Sequence, residues 1–445
     1  MLRKTAMPTN ATEFVQWFRS AAPYIHSHRG KTFVLHFGGE LIDSPVFPHL
    51  IHDVALLNSM GIRLVVVYGA RPQIEALLEK QNIKPQLVNG LRLTDSEALE
   101  VVKQVAGTLR IQIEALFSMG LPNSPMAQAR VKVSSGNFIT AKPIGIINGV
   151  DLQFTGTVRR VDSDLIKHNL QNQEIVLIPP LGYSPTGEVF NLSSVELATQ
   201  VAINLQADKL LFLMAEEGRK DEEGNMIEHL SQDQAQLLLQ GKDLSDGSSY
   251  LQLSHGLQAS KKGVARIHFI NQSVDGSLMQ ELFSRDGVGT LLSAVPFDDL
   301  RPATIEDIGG ILELIQPLEE QGVLVRRSRE KMEMEISDYS VLIRDGAVIA
   351  VTALHMYKDE AAAELACLAV HEDYRQLSKG EELYLNAENE ARKKGAKKIF
   401  LLTTHATHWF LEQGFEEATI EDLPVAKKQL YNYQRNSKIL IKNLS

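Results

Sequence analysis

The residues best placed by type and spacing to do chemistry lie in Glu364-Leu-Ala-Cys-Leu-Ala-Val370, in Tyr374-Arg-Gln-Leu-Ser-Lys-Gly380, and in Glu381-Glu-Leu-Tyr-Leu-Asn-Ala-Glu388. Leu365 to Val370 is a short apolar run, of the length of a buried strand. Arg375, Gln376, Leu377, Ser378, Lys379 and Gly380 form a short basic loop. A helical pattern opens at Glu381, with Leu383, Leu385 and Ala387 among charged residues. A loop of exposed amides that opens a helix favours an anion, because the first N–H groups have no partner within the helix. Arg375 and Lys379 add positive charge there, and the fitting ligand is a pyrophosphate. The same strand–loop–helix unit also serves as plain scaffold in many folds.

The elements that must position this unit follow from periodicity. Thr12 to His28 reads as an amphipathic helix whose face of Phe14, Trp17, Phe18 and Ala21 must be covered by its own domain or by another subunit. From Lys31 onward, strands are expected at 32–37, 63–68, 142–147, 155–161, 174–178, 209–214 and 265–270. Helices are expected near 47–59, 72–80, 95–118, 163–170, 195–206 and 232–240. Buried strands alternating with amphipathic helices indicate an α/β fold with a mostly parallel open sheet sandwiched by helices. The charged run Glu216 to Glu223 reads as a solvated loop.

The pattern breaks at Ala294 to Asp299, around Pro296. A smaller α+β domain over residues 299–445 is expected beyond it. A strand at its start gives way to a helix capped by Thr304, with Asp307 three residues on. A hairpin turns on Asp345-Gly346 between Val341–Arg344 and Ala347–Leu354. Strands at 398–404 and 437–441 and a short helix at 408–413 complete it.

Composition sets outer limits. The net charge of −10 argues against nucleic acid as a partner. The one cysteine, Cys367, excludes an internal disulfide and a cysteine-rich metal site. No apolar run reaches the length of a membrane span, and Met1 to Asn10 lacks the apolar core of a signal peptide, so a cytoplasmic chain is expected.

Two resemblances sharpen this reading. Arg375-x-x-Ser378-x-Gly380 resembles the acetyl-CoA pyrophosphate loop of the GNAT acetyltransferase superfamily, with Ser378 where a glycine is usual. Ala366-Cys-Leu-Ala-Val370, Leu402-Thr-Thr404, Trp409-Phe-Leu-Glu-Gln-Gly-Phe415 and Tyr431-x-Tyr-x-Arg-Asn-Ser437 resemble the bacterial N-acetylglutamate synthase family. That resemblance implies acetyl transfer from acetyl-CoA to the α-amine of L-glutamate, the first step of arginine biosynthesis, with no metal. It implies Glu364 as general base and Thr403 as proton donor to the leaving thiolate, with Tyr431 or Tyr433 as rivals. It implies the backbone of Cys367, Leu368 and Val370, with the loop from Arg375 to Glu381, as the cofactor site, and Arg327, Arg435 and Ser437 as the glutamate site. Cys367 itself is expected to be a small buried core residue rather than a nucleophile. His355 occupies a position near the substrate that varies in the family.

The second resemblance covers residues 25 to 293. His36-Phe-Gly-Gly39, Val65-Val-Val-Tyr-Gly-Ala-Arg-Pro72, Val88-Asn-Gly-Leu-Arg-Leu-Thr-Asp95 and Glu281-Leu-Phe-x-x-Asp-Gly-Val-Gly-Thr290 resemble the amino acid kinase family. His36 stands where that family has a lysine, Val195 where an aspartate is expected, and Met214-Ala215 where a Thr-Asp pair is expected. Phosphoryl transfer needs positioned charge, so a kinase-like domain over residues 29–295 without kinase chemistry is expected. His36 then reads as a strand histidine satisfied by its surroundings. The resemblance further implies that residues 1–28 serve oligomerisation, as in a hexamer, and that Tyr24, Lys209, Glu281 and Gly287 bind arginine as an effector. A kinase of a small acidic substrate, a non-catalytic arginine sensor and an acetyltransferase of protein lysines remain the alternatives.

Overall fold

The computed structural model describes residues 11–444 apart from 89, 121–123, 216–218, 221–225, 241–246, 295–297, 345 and 376–378. The Glu216–Glu223 run lies largely outside the described residues, as do Asn89, Pro296, Asp345 and the loop residues Gln376, Leu377 and Ser378. The chain divides into two compact units, residues 1–295 and 296–445.

The first unit is built on an eight-stranded sheet. In spatial order its strands are His229–Ser231, Thr290–Ser293, Arg266–Asn271, Lys209–Met214, Thr32–Phe37, Arg63–Tyr68, Glu174–Ile178 and Lys132–Ser134. All neighbours are parallel except Arg266–Asn271 against Thr290–Ser293. The central strands are buried along almost their whole length, as continuous Val/Leu/Phe runs must be when helices cover both faces. Phe33 and Leu35 pack into one hydrophobic cluster and Val34 into another, so the period of two divides one strand between two cores. The segment expected as a strand at 142–147 instead ends a strand Ile139–Pro143 and begins a two-residue strand Ile146–Ile147, with Gly145 at positive φ breaking the run. A helix at Ser248–Lys261 was not expected from sequence. Its polar composition hides the apolar face formed by Leu253 and Leu257.

The N-terminal helix runs from Ala11 to His28. Ala21 is buried, and Tyr24 and Ile25 pack against the core, whereas Phe14, Trp17 and Phe18 are exposed in the single chain.

The second unit carries a seven-stranded sheet, in the order Asp298–Pro302, Tyr339–Arg344, Ala347–Tyr357, Ala362–Val370, Lys398–Thr403, Lys438–Asn443 and Glu416–Ala418. Its pairings are antiparallel, save that Ala362–Val370 runs parallel to Lys398–Thr403. Asp298 and Asp299, read from sequence as part of a break, open the edge strand. Asp298 binds Arg344 through both carboxylate oxygens, at 2.6 and 3.0 Å. Thr304 and Asp307 form the expected capping box, worked through a short 3-10 turn that leads into the helix Ile308–Glu320. That helix and the helix Lys379–Lys393 pack against the sheet.

Candidate active site

The strand Ala362–Val370 is irregular where the chemistry was expected. Its parallel pairing covers only Ala362–Glu364 with Lys398–Phe400, so the two strands separate beyond Glu364. On the other edge, Ala353 faces Ala366 while Val351 faces Ala369, so two residues oppose one across the register shift. This is a β-bulge. Cys367 sits in it with φ of 54°, the left-handed region that side chains rarely adopt. The bulge changes which face each residue serves. Ala363 and Leu365 pack with Tyr384 and Ala387 of the helix Lys379–Lys393, whereas Cys367 and Ala369 pack with Ile308, Ile311 and Ile315. Beyond Glu364 the strand therefore has no ladder partner on the Lys398–Thr403 side.

The helix Lys379–Lys393 starts at the end of that gap. A side chain at Gly380 would meet only Val370 and Trp409 at ordinary contact distance, so its glycine is not sterically required. Arg375 Nε donates to the carbonyl of Val370 at 3.3 Å and leaves an exposed guanidinium at the loop. Lys379 differs from expectation. Its ammonium is engaged by Asp298 at 2.6 Å and Glu382 at 3.1 Å, so its charge is largely committed to fastening the helix to the edge strand. Strand separation, bulge and helix start leave room for an extended ligand beside Val370 and Gly380, while Gln376, Leu377 and Ser378 lie outside the described residues.

Beside the separated strands is a cleft of about 410 Å³, lined by Glu364, Cys367, Arg327, Arg435, Lys427 and Ser437 among others. Glu364 is buried, at 5 % exposed, directly across the sheet from His355. Its Oε1 pairs with Lys427 Nζ at 2.5 Å, and its Oε2 accepts from the Tyr357 hydroxyl at 3.0 Å. Burial, and secondarily the charge on Glu364, raises the Tyr357 pKa, so the phenol stays protonated. His355 also lines the cleft, with Nδ1 2.9 Å from Asp338.

Arg327 and Arg435 converge on the cleft from opposite ends of the sequence. Arg327 Nη1 donates to the carbonyl of Val325 at 2.9 Å, and Arg435 Nη2 donates to that of Val323 at 2.5 Å. Arg435 is held below the usual guanidinium range by burial and then by Arg327. Its Nε is buried and has no hydrogen-bond partner. A buried donor without an acceptor is costly, and a carboxylate supplies the acceptor. The hydroxyl of Tyr431 donates to the carbonyl of buried Ser437 at 2.8 Å, and both line the cleft.

The proposed proton donors are placed differently. Tyr431 lines the cleft, while Tyr433 is 72 % exposed with its ring against Tyr431. Thr403 ends its strand, and its Oγ accepts from the amides of His405 at 3.4 Å and Ala406 at 3.1 Å, leaving the hydroxyl proton to be donated. Cys367 lines the cleft floor, and burial pushes its thiol above the ordinary value. Lys427, Tyr357 and Lys331 also line this cleft and were missed from sequence. The Lys427-Lys428 pair carried no motif to single it out.

In the first unit, Lys209, Glu281 and Gly287 are brought together, and His268, unnoticed in the sequence, joins them. Lys209 Nζ lies 3.4 Å from His268 Nε2, and His268 Nδ1 lies 2.6 Å from Glu281 Oε1. Glu281 Oε2 accepts from the amides of Val288 and Gly289 at 2.7 and 2.8 Å. Burial alone would raise the Glu281 pKa, but the His268 ring and these amides outweigh it and hold the carboxyl below its usual range. Burial and then Lys209 push His268 down to about 4. Gly287 has φ of 65°, and a side chain there would collide with Glu281 Oε2. The Tyr24 ring lies 6.2 Å from that of His28, whose Nε2 is 2.8 Å from the carbonyl of Leu282.

His36 is buried beside Ser194, with Nε2 3.0 Å from Ser194 Oγ. Its Nδ1 has no partner, so the ring is not fully satisfied as expected. Burial, and then His255, push its pKa down to about 3, which leaves a neutral imidazole. Val195, at the position where a kinase would carry an aspartate, is buried in the hydrophobic cluster. Among the described residues no group of three or more His, Cys, Asp or Glu could hold a metal ion. None of the described helices is long and apolar enough to cross a membrane.

Comparison with known proteins matches both units. Residues 31–271 match the amino acid kinase family, and residues 311–415 match the acetyltransferase (GNAT) family. The amino-acid acetyltransferase of Ralstonia nicotianae is 47 % identical over 97 % of this chain and 96 % of its own. That of Pectobacterium atrosepticum is 48 % identical over 98 % of this chain and 100 % of its own. Among solved structures, the N-acetylglutamate synthase from Neisseria gonorrhoeae complexed with coenzyme A and L-arginine is 38 % identical, with a TM-score of 0.88 over 97 % of this chain and 99 % of that one. The same enzyme complexed with coenzyme A and N-acetyl-glutamate gives a TM-score of 0.62 over the same shares of both chains.

Proposed function

The chain belongs to the N-acetylglutamate synthase family of amino-acid acetyltransferases, and from that premise we propose that it acetylates the α-amine of L-glutamate under control of arginine. It is an amino-acid N-acetyltransferase whose co-substrate is acetyl-CoA. The observation that carries the choice of acceptor is the cleft in which Arg327 and Arg435, the latter with a buried unpartnered Nε, stand beside buried Glu364. Paired guanidinium groups suit a dicarboxylate.

In this reading the backbone at Cys367, Leu368 and Val370 holds the thioester, and the loop from Arg375 to Glu381 holds the pyrophosphate. Arg327, Arg435 and Ser437 bind glutamate. Glu364 accepts the proton of the α-ammonium, directly or through one water. The amine nitrogen then bonds to the acetyl carbon, the carbon–sulfur bond breaks, and the thiolate takes a proton from Tyr431 or Thr403. The proton shed by nitrogen as it becomes an amide restores that donor, and Glu364 releases its proton to solvent. Tyr431 lines the cleft but its proton is given to the Ser437 carbonyl, whereas Thr403 accepts from two amides and keeps its proton for donation. The transfer is direct, with no acyl-enzyme.

Arginine binding in the first unit is supported by the buried Glu281 and Lys209, which offer a carboxylate to a guanidinium and an ammonium to a carboxylate. The exposed face of Phe14, Trp17 and Phe18 supports assembly of several chains, as in a hexamer. Such an enzyme would open the synthesis of arginine in the cytoplasm. Loss of kinase chemistry is supported by the neutral, buried His36 and by Val195. The test is thiol release from acetyl-CoA with free L-glutamate, run with and without ATP, a lysine peptide and arginine. Release that needs glutamate, ignores ATP and responds to arginine is expected. Release driven by the peptide alone, or phosphorylation of the substrate, would reject the reading.

A further inference from the structure

Lys427 stands out because the sequence reading assigned it nothing and the structure puts it on the base. Its ammonium lies 2.5 Å from Glu364 Oε1. The placement is built rather than incidental. Lys427 lies on the short helix Val425–Gln429, which is anchored at both ends. The Val425 amide donates to Glu360 Oε1 at 2.8 Å, just ahead of the strand that carries Glu364, and Lys428 pairs with Glu421 at 3.1 Å. The Lys427 side chain is 22 % exposed, against 7 % for Glu364, so the lysine closes the carboxylate off from the cleft.

That arrangement competes with the step proposed for Glu364. Both carboxylate oxygens already accept, one from Lys427 and one from Tyr357. Each oxygen can accept a second bond, but a second cation at Oε1 is repelled by the Lys427 ammonium, so an α-ammonium seats there most readily when the lysine gives way. Tyr357 is fixed on the neighbouring strand of the same sheet. Lys427 is a point charge on a flexible four-carbon stem. It moves more easily, and a partly buried cation that leaves its carboxylate is best received by another one.

The substrate carries that replacement. In an α-amino acid the carboxylate is bonded to the carbon that bears the amine. Whatever places the amine at Glu364 therefore places the α-carboxylate within a few ångströms of Lys427. The cleft has charge to spare for it. Arg326, Arg327, Lys331, Arg435 and Lys427 line it against the two carboxylates of Glu335 and Glu364. Arg327 and Arg435, held on the carbonyls of Val325 and Val323, are left to take the side-chain carboxylate.

We propose that Lys427 is a specificity-determining residue: it exchanges Glu364 for the α-carboxylate of the incoming amino acid, and so frees the base only when the amine to be acetylated has a carboxylate beside it. Lys427 keeps its proton throughout and changes partner. The device selects free α-amino acids over amines that lack the neighbouring carboxylate, such as lysine side chains or α-amides. It rests on the glutamate acetyltransferase reading.

The test uses the full chain and compares kcat/KM for glutamate, for isoglutamine (the α-amide of glutamate) and for glutamine (the γ-amide). The wild type is expected to prefer glutamate over isoglutamine strongly. Lys427→Met should shrink that preference at least tenfold while changing the glutamate-to-glutamine preference less than threefold, and Lys427→Arg should restore most of it. If Lys427→Met lowers glutamate and isoglutamine by the same factor, Lys427 serves Glu364 alone and the proposal is overturned. A collapse of the glutamine preference instead would overturn it too, since Lys427 would then read the side chain. Coenzyme A binding by calorimetry establishes that each variant is folded, and Lys427→Gln replaces Lys427→Met if the latter fails. A wild type inert toward glutamate would instead refute the reading on which the proposal stands.

Discussion

The Tyr357 hydroxyl donates a 3.0 Å hydrogen bond to Oε2 of Glu364 from the neighbouring antiparallel strand. It holds Oε2 while Oε1 pairs with Lys427. Glu364→Gln keeps the shape and removes the proton acceptor. General-base removal costs about 10²- to 10⁴-fold in rate, so kcat should fall in that range with coenzyme A binding retained, by thiol release and calorimetry. Tyr357→Phe removes one bond to a charged group, worth about 1.5 kcal/mol or roughly tenfold. A wild-type rate in Tyr357→Phe would show that this bond orients nothing.

The bulge at Cys367 predicts an unusual order among its replacements. Cys367→Val puts a β-branched side chain at φ of 54°, where strain of about 1–3 kcal/mol is expected. Denaturant melts should report that loss, together with weaker coenzyme A binding. Cys367→Ala should keep kcat within about threefold, because a thiol that burial pushes upward is a poor nucleophile at neutral pH. A drop of a hundredfold in Cys367→Ala would reinstate an acyl-enzyme.

Gly287→Ala tests the proposed arginine site. Its backbone is left-handed, and the added methyl would sit 2.4 Å from Glu281 Oε2, so the carboxylate must move. The ratio of rates with and without arginine should approach one in this variant and in Glu281→Gln, measured over an arginine titration. An unchanged titration in both variants would remove the site from the first unit.

The buried histidines set a pH dependence of stability. The His36 pKa is pushed down to about 3 and the His268 pKa to about 4, both below the 6.5 of an unfolded chain. Between those values the unfolded state binds protons that the folded state does not, so stability is full above pH 6.5 and falls as pH drops. At pH 5 each histidine accounts for about 2 kcal/mol of that loss. His36→Asn should therefore lose less thermal stability than the wild type between pH 7.5 and pH 5. Parallel melting curves at the two pH values check this, and an equal loss in both proteins would mean that His36 is protonated in the fold.

Much of the scaffold was legible because its strands announce themselves. Thr32–Phe37, Arg63–Tyr68 and Lys209–Met214 are uninterrupted apolar runs, and a strand buried on both faces has no other composition open to it. The capping box of Thr304 and Asp307 was legible for a similar reason, since both partners lie within one turn. Ser248–Lys261 was not, because its apolar residues are few and only its neighbours show which face is buried.

The site divides along the same line. Sequence alone determined the residue types: an acidic strand head at Glu364, a basic loop before a helix, arginines at 327 and 435, and the loss of phosphoryl-transfer charge at His36 and Val195. These are properties of single residues and short strings. The tertiary structure alone decided that Lys427 meets Glu364, that His268 joins Lys209 to Glu281, that Lys379 is committed to Asp298, and that Cys367 bends the strand. Each of these depends on register and on packing between segments far apart in the chain. Charges attract over a few ångströms whatever their separation in sequence, so which cation neutralises which carboxylate is decided only once the sheet has closed.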